Sequence, residues 1–119
     1  MTYQSDYAAT EPSRSEIDAQ VGVTVLEFGA PWCGHCAAAQ PALRELLATR
    51  PEVRHLKIED GSGRPLGHSF GIKLWPTLVV VRDGQETARV VRPRTLDDLD
   101  EVRVAMDAPT GLPPLKKGG

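Results

Sequence analysis

The sequence predicts an α/β domain, a central mixed sheet of four to five strands flanked by helices. Three observations carry that expectation. A β-branched apolar run, "VGVTVLEF" at 21–28, leads into a helix-forming stretch and then a second strand-like segment, the β-α-β order of parallel pairing. Two further strand-like segments, "TLVVVR" and "TARVV", flank Asp83-Gly84, a hairpin turn signal and hence an antiparallel pair. The chain has 119 residues, enough for one core and too few for two ordinary domains.

Residues 1–9 show no periodicity and read as a mobile or extended lead-in, with the domain proper over 10–107. Ser13 and Glu16 have the spacing of a capping box, which predicts a short helix over about 13–20. The 21–28 strand is apolar at most positions, the pattern of burial on both faces. After Cys36, "AAAQPALRELLATR" is a strong helix former in which Pro41 predicts a kink. "VRHLKIE" at 53–59 alternates as a second strand, and "DGSGRPLGHSF" at 60–70 reads as a loop holding a short helix. The hairpin strands follow at 77–82 and 87–91. Thr95 then caps a closing helix whose apolar stripe is Leu96, Leu99, Val102 and Met106. The end, 108–119, has three prolines and no core pattern, and reads as a flexible tail.

Composition excludes several function classes. Net charge is −2 with no large basic cluster, so nucleic acid binding has no electrostatic support. No apolar run approaches the roughly 18 residues that span a bilayer, so no membrane partner is expected. Met1 to Thr10 lacks the basic and apolar regions of a signal peptide, and the expectation is a cytoplasmic monomer.

The chemistry is concentrated in "EFGAPWCGHC", residues 27–36, which holds the only two cysteines. A strand-to-helix junction sets Cys33 at a helix N-terminus, where free N–H groups and the helix dipole stabilise a thiolate. Such thiols titrate at roughly 3.5–7.5 against about 8.5 for a free cysteine. Cys33 is therefore the candidate nucleophile. Cys36, one turn on, resolves the mixed disulfide, so the redox-active Cys33–Cys36 disulfide serves in place of a cofactor. Gly34 and His35 tune that couple: a protonated His35 favours the thiolate and makes the pair more oxidising, although a solvated helix-start residue is the bland reading. Trp32 either packs in the core or covers the disulfide. Glu27 is costly in a buried strand unless paired, and is a candidate acceptor of the Cys36 proton through water; an edge position reaching solvent accounts for it equally well. Trp75-Pro76-Thr77 opens the third strand, where a trans proline is the base expectation.

Two other classes stand beside a redox reading. A metal module would use Cys33, His35 and Cys36, with His55 or His68 needed to complete four ligands. A binding or assembly module would keep the pair as incidental thiols. Haem attachment fails, because Ala37 rather than histidine follows Cys36.

"FGAPWCGHC", Glu27, Pro41, "FGIKLWPT" and "VVVRDGQE", in that order and spacing, resemble the thioredoxin family over roughly residues 10–107. Gly-His between the cysteines and a glutamate at the acid position are most similar to protein disulfide isomerase domains. The resemblance implies a thioredoxin-like fold and a thiol–disulfide oxidoreductase without a metal site, with Cys33 exposed, Cys36 buried and Glu27 as proton carrier. It implies a cis Pro76 beside the sulfurs, and a substrate groove of Trp75, Pro76, Thr77, Val91 and Arg92. The partners it implies are protein disulfide or dithiol substrates, with a thioredoxin reductase or glutathione exchanging electrons. The chain departs from the family at four places. Trp75 replaces a smaller residue and narrows the groove, its backbone still free to pair with an extended substrate. Arg92 stands at a usual glycine, which implies selection of acidic partners or restriction of large ones. Ala37 removes a common lysine. His55 falls where a lysine often pairs with the acid, which leaves Glu27 without that partner.

Overall fold

The computed structural model describes residues 2–109, so the expected tail lies almost wholly outside the described residues. In chain order the elements are α1 (Arg14–Asp18), β1 (Val23–Gly29), α2 (Gly34–Ala48), β2 (Arg54–Glu59), α3 (Pro65–Ser69), β3 (Thr77–Arg82), β4 (Gln85–Val91) and α4 (Asp100–Asp107). A 3-10 turn, Asp97–Leu99, leads into α4. The strands form one sheet in the order β2-β1-β3-β4. β1 pairs parallel with β2 and antiparallel with β3, and β3 pairs antiparallel with β4. No helix among the described residues is long and apolar enough to cross a membrane.

Each face of the sheet carries its own core. Val25, Leu78 and Val80 pack with Leu43, Leu47, Leu99 and Val102 under α2 and α4. Leu26, Phe28, Val79 and Val81 pack with Ile17, Leu66 and Phe70 on the other side. The alternation of β1 therefore places Glu27 on the α2 side, level with Val25. Burying one such Leu, Val or Phe side chain is worth about 1.5–3 kcal/mol, so the central strands are the best-anchored part of the molecule.

Local chemistry accounts for most boundaries. Both halves of the Ser13–Glu16 capping box form at the start of α1. The hairpin turns on Asp83 and Gly84, at φ +49° and +83°, the pair of positive values a two-residue type I′ turn needs. Pro41 sits inside α2 without ending it.

Two expectations change. Leu96 does not share the closing apolar stripe; it is exposed, because the chain enters α4 through the 3-10 turn and the 3.6-residue period is broken there. Ala105 joins Val102 and Met106 inside instead. The lead-in has no helix or strand, yet it is tied along β2: the Ala8 N–H donates to the Lys57 carbonyl at 2.8 Å, Lys57 Nζ to the Ser5 carbonyl at 3.1 Å, and the Thr2 hydroxyl to the Val53 carbonyl. Single long-range hydrogen bonds hold it, and they leave no local pattern to read.

Candidate active site

β1 ends at Gly29, and Ala30-Pro31-Trp32 turn the chain into α2. Cys33 is the N-cap of α2, in extended backbone at φ −86° and ψ 118°, and its Sγ accepts from the Cys36 N–H at 3.3 Å. Both cysteines are free thiols; Cys33 is partly exposed and Cys36 buried. Burial alone would push the Cys33 thiol up. Hydrogen bonds from the Cys36 thiol and from the Cys36 and His35 N–H groups, helped by the Arg92 charge, hold it below the usual thiol value instead. Burial is also the main force on Cys36, and with the neighbouring Cys33 and Glu27 it pushes that thiol up to about 11. One turn of helix thus separates an easily ionised sulfur from a reluctant one.

Glu27 is wholly buried on the central strand, which overturns the solvent-reaching alternative. Its Oε1 lies 2.9 Å from His55 Nε2, and its Oε2 accepts from Gln40 Nε2 at 2.7 Å. His55 Nδ1 accepts the Gln4 N–H at 2.8 Å. The network therefore assigns the imidazole hydrogen to Nε2, where it donates to Glu27. No lysine pairs with Glu27, and His55 itself takes the partner's place. A lysine is present nearby, since Lys57 stands opposite Glu27 in the strand register, but its Nζ donates to Gln40 Oε1 at 3.3 Å. Gln40 Nε2 also reaches the Cys36 carbonyl at 2.8 Å, so one side chain links the acid to the helix turn carrying Cys36. Sequence reasoning missed Gln40; its only signal is a polar residue on the sheet-facing side of α2, one position ahead of Pro41.

Of the expected groove residues, Trp75 lies against Cys33. The Trp75–Pro76 peptide is cis, and the Trp75 carbonyl lies 4.0 Å from Cys33 Sγ. That carbonyl accepts Arg92 Nε at 2.9 Å, so Arg92 occupies a backbone acceptor the sequence reading left to a substrate. Arg92 is held by its own N–H on the Pro76 carbonyl at 2.8 Å, and its φ of +53° is a left-handed value that glycine takes more easily. Trp75 Nε1 donates to Asp60 Oδ2 at 2.8 Å. Trp32 meets Trp75 edge-on, with ring centroids 5.4 Å apart, and is 76% exposed, so it is not core. Thr77 and Val91 pair across β3 and β4, Thr77 buried and Val91 exposed. Gly34 and His35 lie exposed at the head of α2. Among the described residues no group of three or more His, Cys, Asp or Glu side chains is placed to hold a metal.

The family model for thioredoxin matches residues 7–104. The chain belongs to the thioredoxin family. It is similar to thioredoxin 2 from Pseudomonas aeruginosa PAO1, solved in its reduced form: 53% identity over 87% of this chain and 96% of that one, with a TM-score of 0.77. The thioredoxin of Chlamydia muridarum is 39% identical over 79 residues, 66% of this chain and 76% of the relative. Protein disulfide-isomerase A3 of Gallus gallus is 36% identical over 80 residues, 66% of this chain and only 16% of that longer protein. This thioredoxin-family chain is a thiol–disulfide oxidoreductase, and the family works through a redox-active disulfide rather than a cofactor.

Proposed function

We propose that Cys33 is the attacking thiolate and Cys36 the resolving thiol in the reduction or exchange of protein disulfides. The observation that carries this reading is the placement of Cys33 Sγ on the Cys36 N–H at the head of α2, with Cys36 buried behind it. The Cys33 thiolate attacks one sulfur of a substrate disulfide, forming a mixed disulfide and releasing the other sulfur as a thiolate. The Cys36 thiol passes its proton, through water, to the Glu27 carboxylate. Its sulfur then attacks Cys33 Sγ, closing the Cys33–Cys36 disulfide and expelling the second substrate thiolate. His55 and Gln40 orient Glu27 for that transfer.

The physiological setting we infer is a cytoplasmic monomer reduced by a thioredoxin reductase or by glutathione. Gly-His between the cysteines favours the more oxidising end, toward about −180 mV rather than about −270 mV. Equilibration against glutathione buffers, read by tryptophan fluorescence, decides between an exchanger at about −180 to −220 mV and a strong reductant near −270 mV. Insulin-disulfide reduction that survives Cys33→Ser would sink the catalytic assignment. A second reading, a binding module, draws on Arg92 filling the groove; a partner retained by the Cys33→Ser, Cys36→Ser double variant would favour it.

A further inference from the structure

Gly29 is the last residue of β1, and its φ is not in the left-handed region, so its backbone does not call for glycine. Space does. A Cβ at this position would stand 2.6 Å from Cys36 Sγ and 3.1 Å from the Tyr7 hydroxyl. The missing side chain leaves a gap bordered by both that phenol and the resolving thiol. Tyr7 comes from the lead-in, and several contacts hold it there. Lys57 Nζ sits 5.0 Å from the centre of its ring, and the Ala8 N–H donates to the Lys57 carbonyl. Lys57 Nζ also holds the Ser5 carbonyl, and further back the Gln4 N–H and the Tyr3 hydroxyl bond His55 and Gln40. Residues 2–8 are therefore a strap laid across the edge of the proton-handling site.

We propose that Tyr7 is a catalytic residue of the resolving step, its hydroxyl donating a hydrogen bond to the Cys36 sulfur as that thiol becomes a thiolate. The proposal rests on the two-cysteine reading above and deepens it. Cys36 is the slow member of the pair, because ionising it places a charge in a buried space beside Glu27. A half-buried donor beside that sulfur offsets part of the cost. Burial first, and then the charges of Cys36 and Glu27, raise Tyr7 above the usual phenol value, so it keeps its own proton while Cys36 loses one. The phenol is unchanged over the cycle: the Cys36 proton leaves to Glu27, the new bond is Cys36–Cys33, and the broken one is Cys33 to the substrate sulfur. The first attack, by Cys33, does not use Tyr7.

Stopped-flow reaction of the reduced protein with 5,5′-dithiobis(2-nitrobenzoate) separates the two steps. The first thionitrobenzoate reports attack by Cys33, and the second reports its displacement by Cys36. In Tyr7→Phe the first phase stays within about twofold of the unmodified protein. The second slows by about three- to tenfold and its pH profile moves up; the change is moderate because a less acidic thiol gains intrinsic nucleophilicity as it loses thiolate. An unchanged second phase, or equal slowing of both, overturns the proposal. Failure of the underlying reading looks different: the unmodified protein would then release its second thionitrobenzoate without closing a Cys33–Cys36 disulfide. Should Tyr7→Phe fold poorly, the ¹³C resonance of Tyr7 Cζ in the unmodified protein decides. It should shift with the titration of Cys36 and stay still in Cys36→Ser; a resonance blind to Cys36 refutes the contact.

Discussion

Glu27 and His55, both almost wholly buried, meet at 2.9 Å between Oε1 and Nε2, and the histidine's other nitrogen is occupied by the Gln4 N–H. A carboxylate so placed has its proton-accepting face set by the parallel strand beside it. Removing the histidine strips one buried oxygen of its donor. His55→Ala should cost about 2–3 kcal/mol in urea unfolding of the reduced protein, the usual penalty for a buried charged acceptor left unpaired. Combined with Glu27→Gln, the loss should fall short of additive by about 0.5 kcal/mol or more, because the two side chains form one unit. Additive costs would mean the contact carries no coupling.

Glu27→Gln should also divide the catalytic cycle. The first attack by Cys33 should continue at close to its normal rate, while resolution by Cys36 slows by about tenfold or more, the low end of or below what a general base contributes. Single-turnover release of two successive thiols measures both steps. Equal slowing of the two would remove Glu27 from proton transfer.

Arg92 contributes to the lowered pKa of Cys33 through its charge, behind the hydrogen bonds of the α2 N-terminus. Arg92→Gly should therefore move the midpoint of Cys33 alkylation by iodoacetamide upward and slow alkylation below that midpoint by about twofold. The effect should shrink with added salt, as screened surface charges do. A salt-independent result would point instead to the Trp75 carbonyl that the guanidinium releases.

The two thiols make opposite contributions to the stability of the reduced protein. Cys36, raised by burial from 9.0 to about 11, favours the folded state below pH 9, and that contribution is lost as pH climbs through about 11. Cys33 is depressed, so its contribution is present above its unfolded value of 9.0 and lost as pH falls through the lower folded value. Between pH 9 and 11 the reduced protein should lose about 2–3 kcal/mol relative to Cys36→Ala. Denaturant midpoints of the two proteins across that window test the sign.

A core substitution away from the site supplies the contrast. Leu47→Ala, on the wholly buried inner face of α2, should cost about 2–5 kcal/mol through lost transfer energy and a cavity. The redox potential should stay where it was, as read in the glutathione titration.

How much of this was visible in the residues depends on whether the cause was local. β1 announces itself because six of its seven residues share a buried environment, and the hairpin because Asp83-Gly84 suits positive φ at two successive positions. The cysteines and Glu27 were readable because their chemistry is unusual for a buried strand and a helix start. Gln40, Lys57 and Tyr7 were not, and His55 was placed opposite the acid only by the family resemblance, not read as its partner. Each is ordinary in its own segment, and becomes part of the site only because β2, α2 and the strap converge on one carboxylate and one sulfur. Leu96 failed for the opposite reason: its spacing fits the α4 stripe, but a 3-10 turn intervenes and rotates it outward.

The backbone at Arg92 sets stability and chemistry against each other at a single position. Its φ of +53° costs an L residue about 1–2 kcal/mol that glycine does not bear. The arginine's charge and its bond to Trp75 are obtained only with that cost. In a library selected for thermal resistance alone, residue 92 should drift toward glycine. In one selected for turnover against disulfides that need the charge, arginine should persist. The amino acid recovered at this one site would therefore report which pressure the population had experienced, without any assay of the survivors.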